Sequence, residues 1–202
     1  MKRPWRVDLT RKYQGQIKAS GSRHKVEGGC LHWGVGTAAL EAIPEARVRN
    51  LIEVNAPRGT GYSRVIAGGV VYVLQPWRKV VGHAGGQNAT VPRPNTRLYG
   101  VCIAYVGPSQ HPRGIEGEVE GPHHKLGTAW YPPIARQDVL LAAHSMRALR
   151  AYGLDEVVGH SEINRAKSDP FPVDMDEFRA LVLDDTHWRA SLAAHTGGPR
   201  GT

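Results

Sequence analysis

Three side chains in "VVGHSEINRAKSDP", residues 157–170, have the makings of a reactive centre: His160, Lys167 and Asp169. The imidazole and the carboxylate stand nine residues apart behind a short apolar run. A surface loop needs no such set, whereas a metal site does. A catalytic zinc takes three protein ligands, often histidines with a carboxylate, and keeps a fourth position open for water or substrate. A third donor should come from another strand end, and "CLHWG" (30–34) offers His32. The chain holds ten histidines, and most histidines in proteins are packed or solvated, so residue types alone leave both readings open. Cys30 shares a strand face with His32, because side chains alternate along a strand, but the roughly 6.6 Å between them weighs against one ion binding both. His123 and His124 in "PHHK" have no evident third partner and read as solvated. His144, four residues after Leu140 in an apolar helical pattern, reads as a core histidine.

Strand ends can bring such donors together only if the strands lie side by side. "CLHWG", "LYGVCIAYVG" (98–107) and "EVVGH" (156–160) read as buried strands, and "YSRVIAGGVVYVLQP" (62–76) as a hairpin around Gly68-Gly69. "PEARVRNLIEVN" (44–55) predicts a helix with Pro44 in its first turn and Val48, Leu51 and Ile52 on one stripe. "ARQDVLLAAHSMRALRAYG" (135–153) predicts another, stopped by Gly153, and "DMDEFRALVLDD" (174–185) a third, with Asp174 and Glu177 spaced as a capping box. Residues 1–27 read as a basic arm over the core, 28–185 as the domain itself and 186–202 as a flexible tail. The stretch 108–133, rich in Gly, Pro, His and charge, reads as a long loop. Strands and helices mixed in this order predict an α/β fold, a sheet with helices on its faces.

With 202 residues, a single domain can bury a core without staples. The net charge of +8 favours anionic partners. No basic-aromatic alternation suited to stacking bases is evident, so nucleic acid is not the expected partner. Cys30 and Cys102 both sit in apolar runs and read as buried free thiols. The basic N-terminus lacks the apolar segment of a signal peptide, and no stretch approaches the ~18 apolar residues of a membrane span. The expectation is a cytosolically made monomer.

"LHWG", "GYSRVI", "GGVVYVL", "GHAG", "GVCIAYVG" and "VVGHSEINRAKSDP" follow one another in the order and spacing of the zinc N-acetylmuramoyl-L-alanine amidases of type 2. That superfamily includes the T7 lysozyme type of amidase and the peptidoglycan recognition proteins. The chain resembles it over about residues 28–182. The resemblance implies a central mixed β-sheet flanked by helices, with a Zn²⁺ ion held by His32, His160 and Asp169. It implies that Lys167 and Tyr62 are catalytic and that His83, Asn95 and Trp33 lie at the substrate groove. Trp33 has a plainer reading as a packed aromatic. Zinc would lower the pKa of bound water toward about 7 and polarise the amide carbonyl, and the Lys167 ammonium would stabilise the oxyanion. Phe171 departs from the family pattern, which carries a glycine there. The implied substrate is peptidoglycan, with anionic wall polymers as further partners of the basic surface. The implied setting is a phage endolysin, stored in the host cytoplasm until release to the wall. A bacterial amidase that recycles muropeptides is the enzyme alternative, against which Tyr62 weighs, and a non-catalytic peptidoglycan-binding protein is the other.

Overall fold

Eight consecutive buried residues, Leu98–Tyr105, form the middle strand of the fold, as an unbroken apolar run does when both faces of a sheet are covered. The structure is a computed structural model and describes residues 5–13, 15–17, 19–35, 44–58, 60–84 and 89–196. In chain order its elements are β1 (Arg6–Asp8), β2 (Ala19–Ser22), β3 (Gly28–Val35), α1 (Pro44–Asn55), β4 (Arg64–Ala67), β5 (Val70–Val73), β6 (Lys79–Val81), α2 (Pro94–Arg97), β7 (Leu98–Tyr105), β8 (Val119–His123), β9 (Gly127–Tyr131), α3 (Arg136–Arg147), β10 (Glu156–Gly159), α4 (His160–Ile163), α5 (Met175–Leu183) and α6 (Asp185–Thr196). The main sheet has the order β1-β5-β4-β7-β3-β10. Only the β4–β5 pair is antiparallel in it. The turn of that hairpin is Gly68-Gly69, with φ of 55° and 76°, the left-handed region that glycine enters without a Cβ clash.

Strand alternation sorts the core into two layers. Leu31, Tyr99, Val101, Ile103 and Ile66 pack with Val139, Leu140, Ala143 and Met146 of α3 and with Phe178, Leu181 and Val182 of α5. On the opposite face, Val65, Ala67, Tyr72, Cys102 and Ala104 pack against Val48, Leu51 and Ile52 of α1. Phe178 is wholly buried. Phe178→Ala should therefore destabilise the fold by about 3–5 kcal/mol, read as a lower urea midpoint with an unchanged slope; a shift of under about 1 kcal/mol would mean that α5 does not seal this layer.

The expected helices over 44–55, 135–153 and 174–185 form, the second ending in a tight turn (Arg150–Tyr152) with Gly153 at φ 97° and the third running from Met175 to Leu183. Asp174 caps α5 by accepting from the backbone N–H groups of Asp176 and Glu177. Four expectations are corrected. The N-terminal stretch is not merely laid over the core: β1 extends the main sheet by parallel pairing with β5, and β2 pairs with β6. The stretch 108–133 is not one loop but carries the β8–β9 hairpin. Residues from Thr186 are helical, not a loose tail, because Asp184 Oδ1 accepts from Thr186 N at 2.7 Å and His187 N at 3.1 Å and starts α6. Trp188 then packs α6 onto the core. Finally, His144 is exposed: it lies on the flank of α3, with the Trp188 ring stacked at 6.0 Å and the Trp5 ring edge-on at 5.8 Å. Residues 1–4 of the expected arm and 197–202 of the expected tail lie outside the described residues. No helix among the described residues is long and apolar enough to cross a membrane.

Candidate metal centre

Strand β3 puts Leu31 into the α3 layer and so turns His32 to the other face, beside Cys102, its register partner on β7. His32 is fully buried. His160 was expected to end a strand; it instead opens α4, immediately after β10 pairs with β3. The chain then reverses at Asn164, whose side-chain oxygen accepts from Ala166 N at 3.1 Å and whose carbonyl accepts from Lys167 N at 3.1 Å. On its return, Asp169 accepts at its carbonyl from Ser161 N at 2.7 Å. This closed loop makes residues nine apart in sequence neighbours in space.

The three side chains meet. Asp169 Oδ2 is 3.2 Å from His32 Nδ1 and 3.0 Å from His160 Nδ1, and Oδ1 is 3.2 Å from His160 Nδ1. One candidate ligand atom from each lies within 4.8 Å of the others. A second group, Cys30 with His32 and His83, meets the same distance criterion, closer than the strand spacing suggested. Burial pushes the Cys30 thiol well above its ordinary pKa, and the Asp169 charge adds to the shift. Burial alone would also raise the Asp169 carboxyl, but the neighbouring His160 and His32 outweigh it and hold the group well below the usual carboxylate range. Burial, then the neighbouring His160, lowers His32 to about 4. His83 is pushed well down by burial and by His32. Both imidazoles are thus neutral at neutral pH, the form in which they bind metal.

Above this cluster opens a cleft of about 600 Å³, with Trp33, Tyr62, His83, Asn95, His160, Lys167 and Asp169 in its lining and His32 beneath. Lys167 is exposed at the wall. The Tyr62 ring lies 5.2 Å from the His32 ring. Asn95 spends its side-chain oxygen on the backbone, accepting from His83 N and Ala84 N at 2.8 Å each. Trp33 borders the cleft and packs 5.5 Å from Tyr105, while its Nε1 donates to the Phe171 carbonyl at 2.6 Å. The Phe171 side chain sits 4.7 Å from the Tyr131 ring in the space that Gly121 leaves, where a Cβ would approach it to 2.2 Å. Phe171 therefore anchors the β8–β9 hairpin against the site loop.

That hairpin also delivers a residue the sequence reading had set aside. His124, read as solvated, lines the cleft, with Nδ1 3.2 Å from Ser168 Oγ. Asn55, Arg58 and Thr60, at and beyond the end of α1, line the opposite part. No motif marks these three; only the docking of α1 on the sheet brings them to the cleft.

No protein-family model matches this chain, and no curated protein sequence does. Solved structures do share its fold. The catalytic domain of XlyA superposes with a TM-score of 0.58 at 15% identity, over 88% of this chain and 98% of that one. The N-acetylmuramoyl-L-alanine amidase LysCS from Clostridium intestinale gives 0.51 at 17%, over 88% and 94%. Drosophila PGRP-LB, in complex with tracheal cytotoxin, gives 0.50 at 16%, over 79% and 84%. The expected architecture, a mixed central sheet flanked by helices of the amidase type 2 and peptidoglycan recognition protein kind, is the one found.

Proposed function

We propose that this chain is a zinc-dependent peptidoglycan amidase that hydrolyses the bond between N-acetylmuramic acid and L-alanine. We propose further that it serves as a phage endolysin, held in the host cytoplasm until it reaches the wall. The observation that carries the reading is the convergence of His32, His160 and Asp169 within 4.8 Å under an open cleft. The fold, shared with amidases and a peptidoglycan recognition protein, supports it.

The donor set suits zinc. It comprises two imidazoles and one ionised carboxylate, all buried, which matches three-ligand catalytic sites. His160 Nδ1 faces the Asp169 carboxylate at 3.0 Å, while its Nε2 is buried with no hydrogen-bond partner, a polar atom that a bound water would satisfy. When bound, zinc supplies Lewis-acid polarisation of the scissile carbonyl and a nucleophile at neutral pH. The chain's own residues position and neutralise. The Lys167 ammonium, two residues from Asp169 and at the cleft wall, would stabilise the charge that develops on the carbonyl oxygen. Tyr62 would orient the attacking group from the side of β4, and Trp33, His83 and Asn95 would shape the groove. Arg58 and Lys167 give the rim basic groups, suited to a substrate whose stem peptide carries carboxylates. The net charge of +8 would hold the enzyme near anionic wall polymers.

A glycosidase generally needs two carboxylates across the bond. Among the described residues lining the cleft, Asp169 is the only one. Digestion of purified peptidoglycan should therefore release the amine of L-alanine without new reducing ends, and chelation should stop it until zinc is restored. Amino-group assays and mass spectrometry of the products check this. Reducing ends without alanine amine would refute the amidase reading, and wall binding without cleavage would leave a binding protein in its place.

A further inference from the structure

We infer that His83 is a positioning residue for the metal centre: it fixes the tautomer of His32, so that His32 turns a lone pair, and not an N–H, toward Asp169. The inference deepens the proposed metal reading and rests on it for its functional meaning. It starts from the carbonyl of Leu98, which can only accept. That oxygen takes Nη1 of the buried Arg23 at 2.6 Å and His83 Nε2 at 3.0 Å. His83 therefore carries its proton on Nε2. A neutral imidazole has one N–H, so His83 Nδ1 is an acceptor. No carboxylate contacts the His83 ring among the described residues, and the Arg23 cation shares its carbonyl, so nothing favours a second proton there.

His32 Nε2 lies 2.9 Å from His83 Nδ1. Facing an acceptor, it must be the donor. The remaining ring nitrogen, His32 Nδ1, then bears the lone pair, and it stands 3.2 Å from Asp169 Oδ2. Two acceptors thus face each other across a hydrogen-bond distance with no proton between them, an arrangement that a bound cation reconciles. Partners that fix the ring nitrogen opposite the metal set both the tautomer and the aim of a ligating histidine.

Two further features hold the relay in place. Asn95 clamps the backbone of residues 83 and 84, as described above. Gly100 of β7 lies under the ring, where a Cβ would come within 2.6 Å of His83 Cγ. A glycine inside a buried strand commonly marks such a close approach.

The test uses the full chain labelled with ¹⁵N-histidine. Two-bond N–H correlation spectra of the metal-free protein at neutral pH should show both His32 and His83 protonated on Nε2. His83→Phe keeps a ring and removes the acceptor, while His83→Asn keeps an acceptor near the position of Nδ1. Zinc affinity, measured by chelator competition, should fall about 10–100-fold in His83→Phe and recover most of that loss in His83→Asn, with His32 losing its single-tautomer signature only in the former. Gly100→Ala, which displaces the ring and removes no polar group, should weaken zinc in the same direction and stands in if His83→Phe does not fold. The inference is overturned if wild-type His32 is protonated on Nδ1, or if folded His83→Phe binds zinc as the wild type does. A wild type that shows the Nε2–H tautomer yet binds no zinc would instead sink the metal reading, leaving the relay as a structural fact.

Discussion

Asp169→Ala should strip the protein of zinc and of measurable peptidoglycan hydrolysis together. Asp169 is the only anionic member of the donor set, and it is 6% exposed. Removing it takes away the negative charge that offsets a divalent ion in a buried site and opens the third ligand position. The carboxylate is also what both imidazoles point toward, at 3.2 Å from His32 and 3.0 Å from His160. The near-isosteric Asp169→Asn removes the charge with little change of volume and should fail in the same way, which separates loss of charge from loss of packing. Elemental analysis of protein purified without added metal, paired with a rate on purified peptidoglycan and a thermal melt, reads all three quantities. A full complement of zinc in folded Asp169→Ala would remove the aspartate from the centre.

Lys167→Ala should behave differently in kind, losing rate while keeping zinc. The side chain is exposed and lines the cleft two residues before Asp169, so its ammonium can reach a developing oxyanion without coordinating the metal. Truncating it removes no core contact, so the melting temperature should stay near that of the wild type. Loss of one oxyanion-stabilising donor commonly costs about 10²–10³ in turnover, and that is the expected drop in kcat. Tyr62→Phe keeps the ring beside His32 and deletes only the hydroxyl. It should also slow turnover with zinc in place. If both variants hold near-normal kcat while zinc is bound, the catalytic roles given to Lys167 and Tyr62 are wrong even though the metal centre stands.

Local rules carried the regular elements. The 44–55 helix was legible because Pro44 and the stripe Val48, Leu51 and Ile52 lie within one segment, and the β4–β5 hairpin because its turn demands glycine at positive φ. The pairing of His160 with Asp169 was legible for a like reason: the loop that joins them closes on itself through Ser161 and Asn164. His32 was placed from its strand-end position and from family resemblance, and the parallel β3–β10 pairing brings it to the other two. The helix α6 had a local signal that went unread, Asp184 ahead of Thr186 and His187, because its apolar stripe is weak and Trp188 needs the rest of the core to pack on. What tertiary structure alone decided is of another kind. β1 belongs to the sheet only because β5 presents an edge to it, and the β8–β9 hairpin, hidden in a Gly- and Pro-rich stretch, is held by Phe171 in the gap at Gly121. Arg58 and His124 reach the cleft only through the docking of separate elements. The tautomer of His32 depends on a carbonyl at Leu98, through His83. Hydrogen-bond direction passes between groups that are neighbours in space, and no spacing along the chain records it.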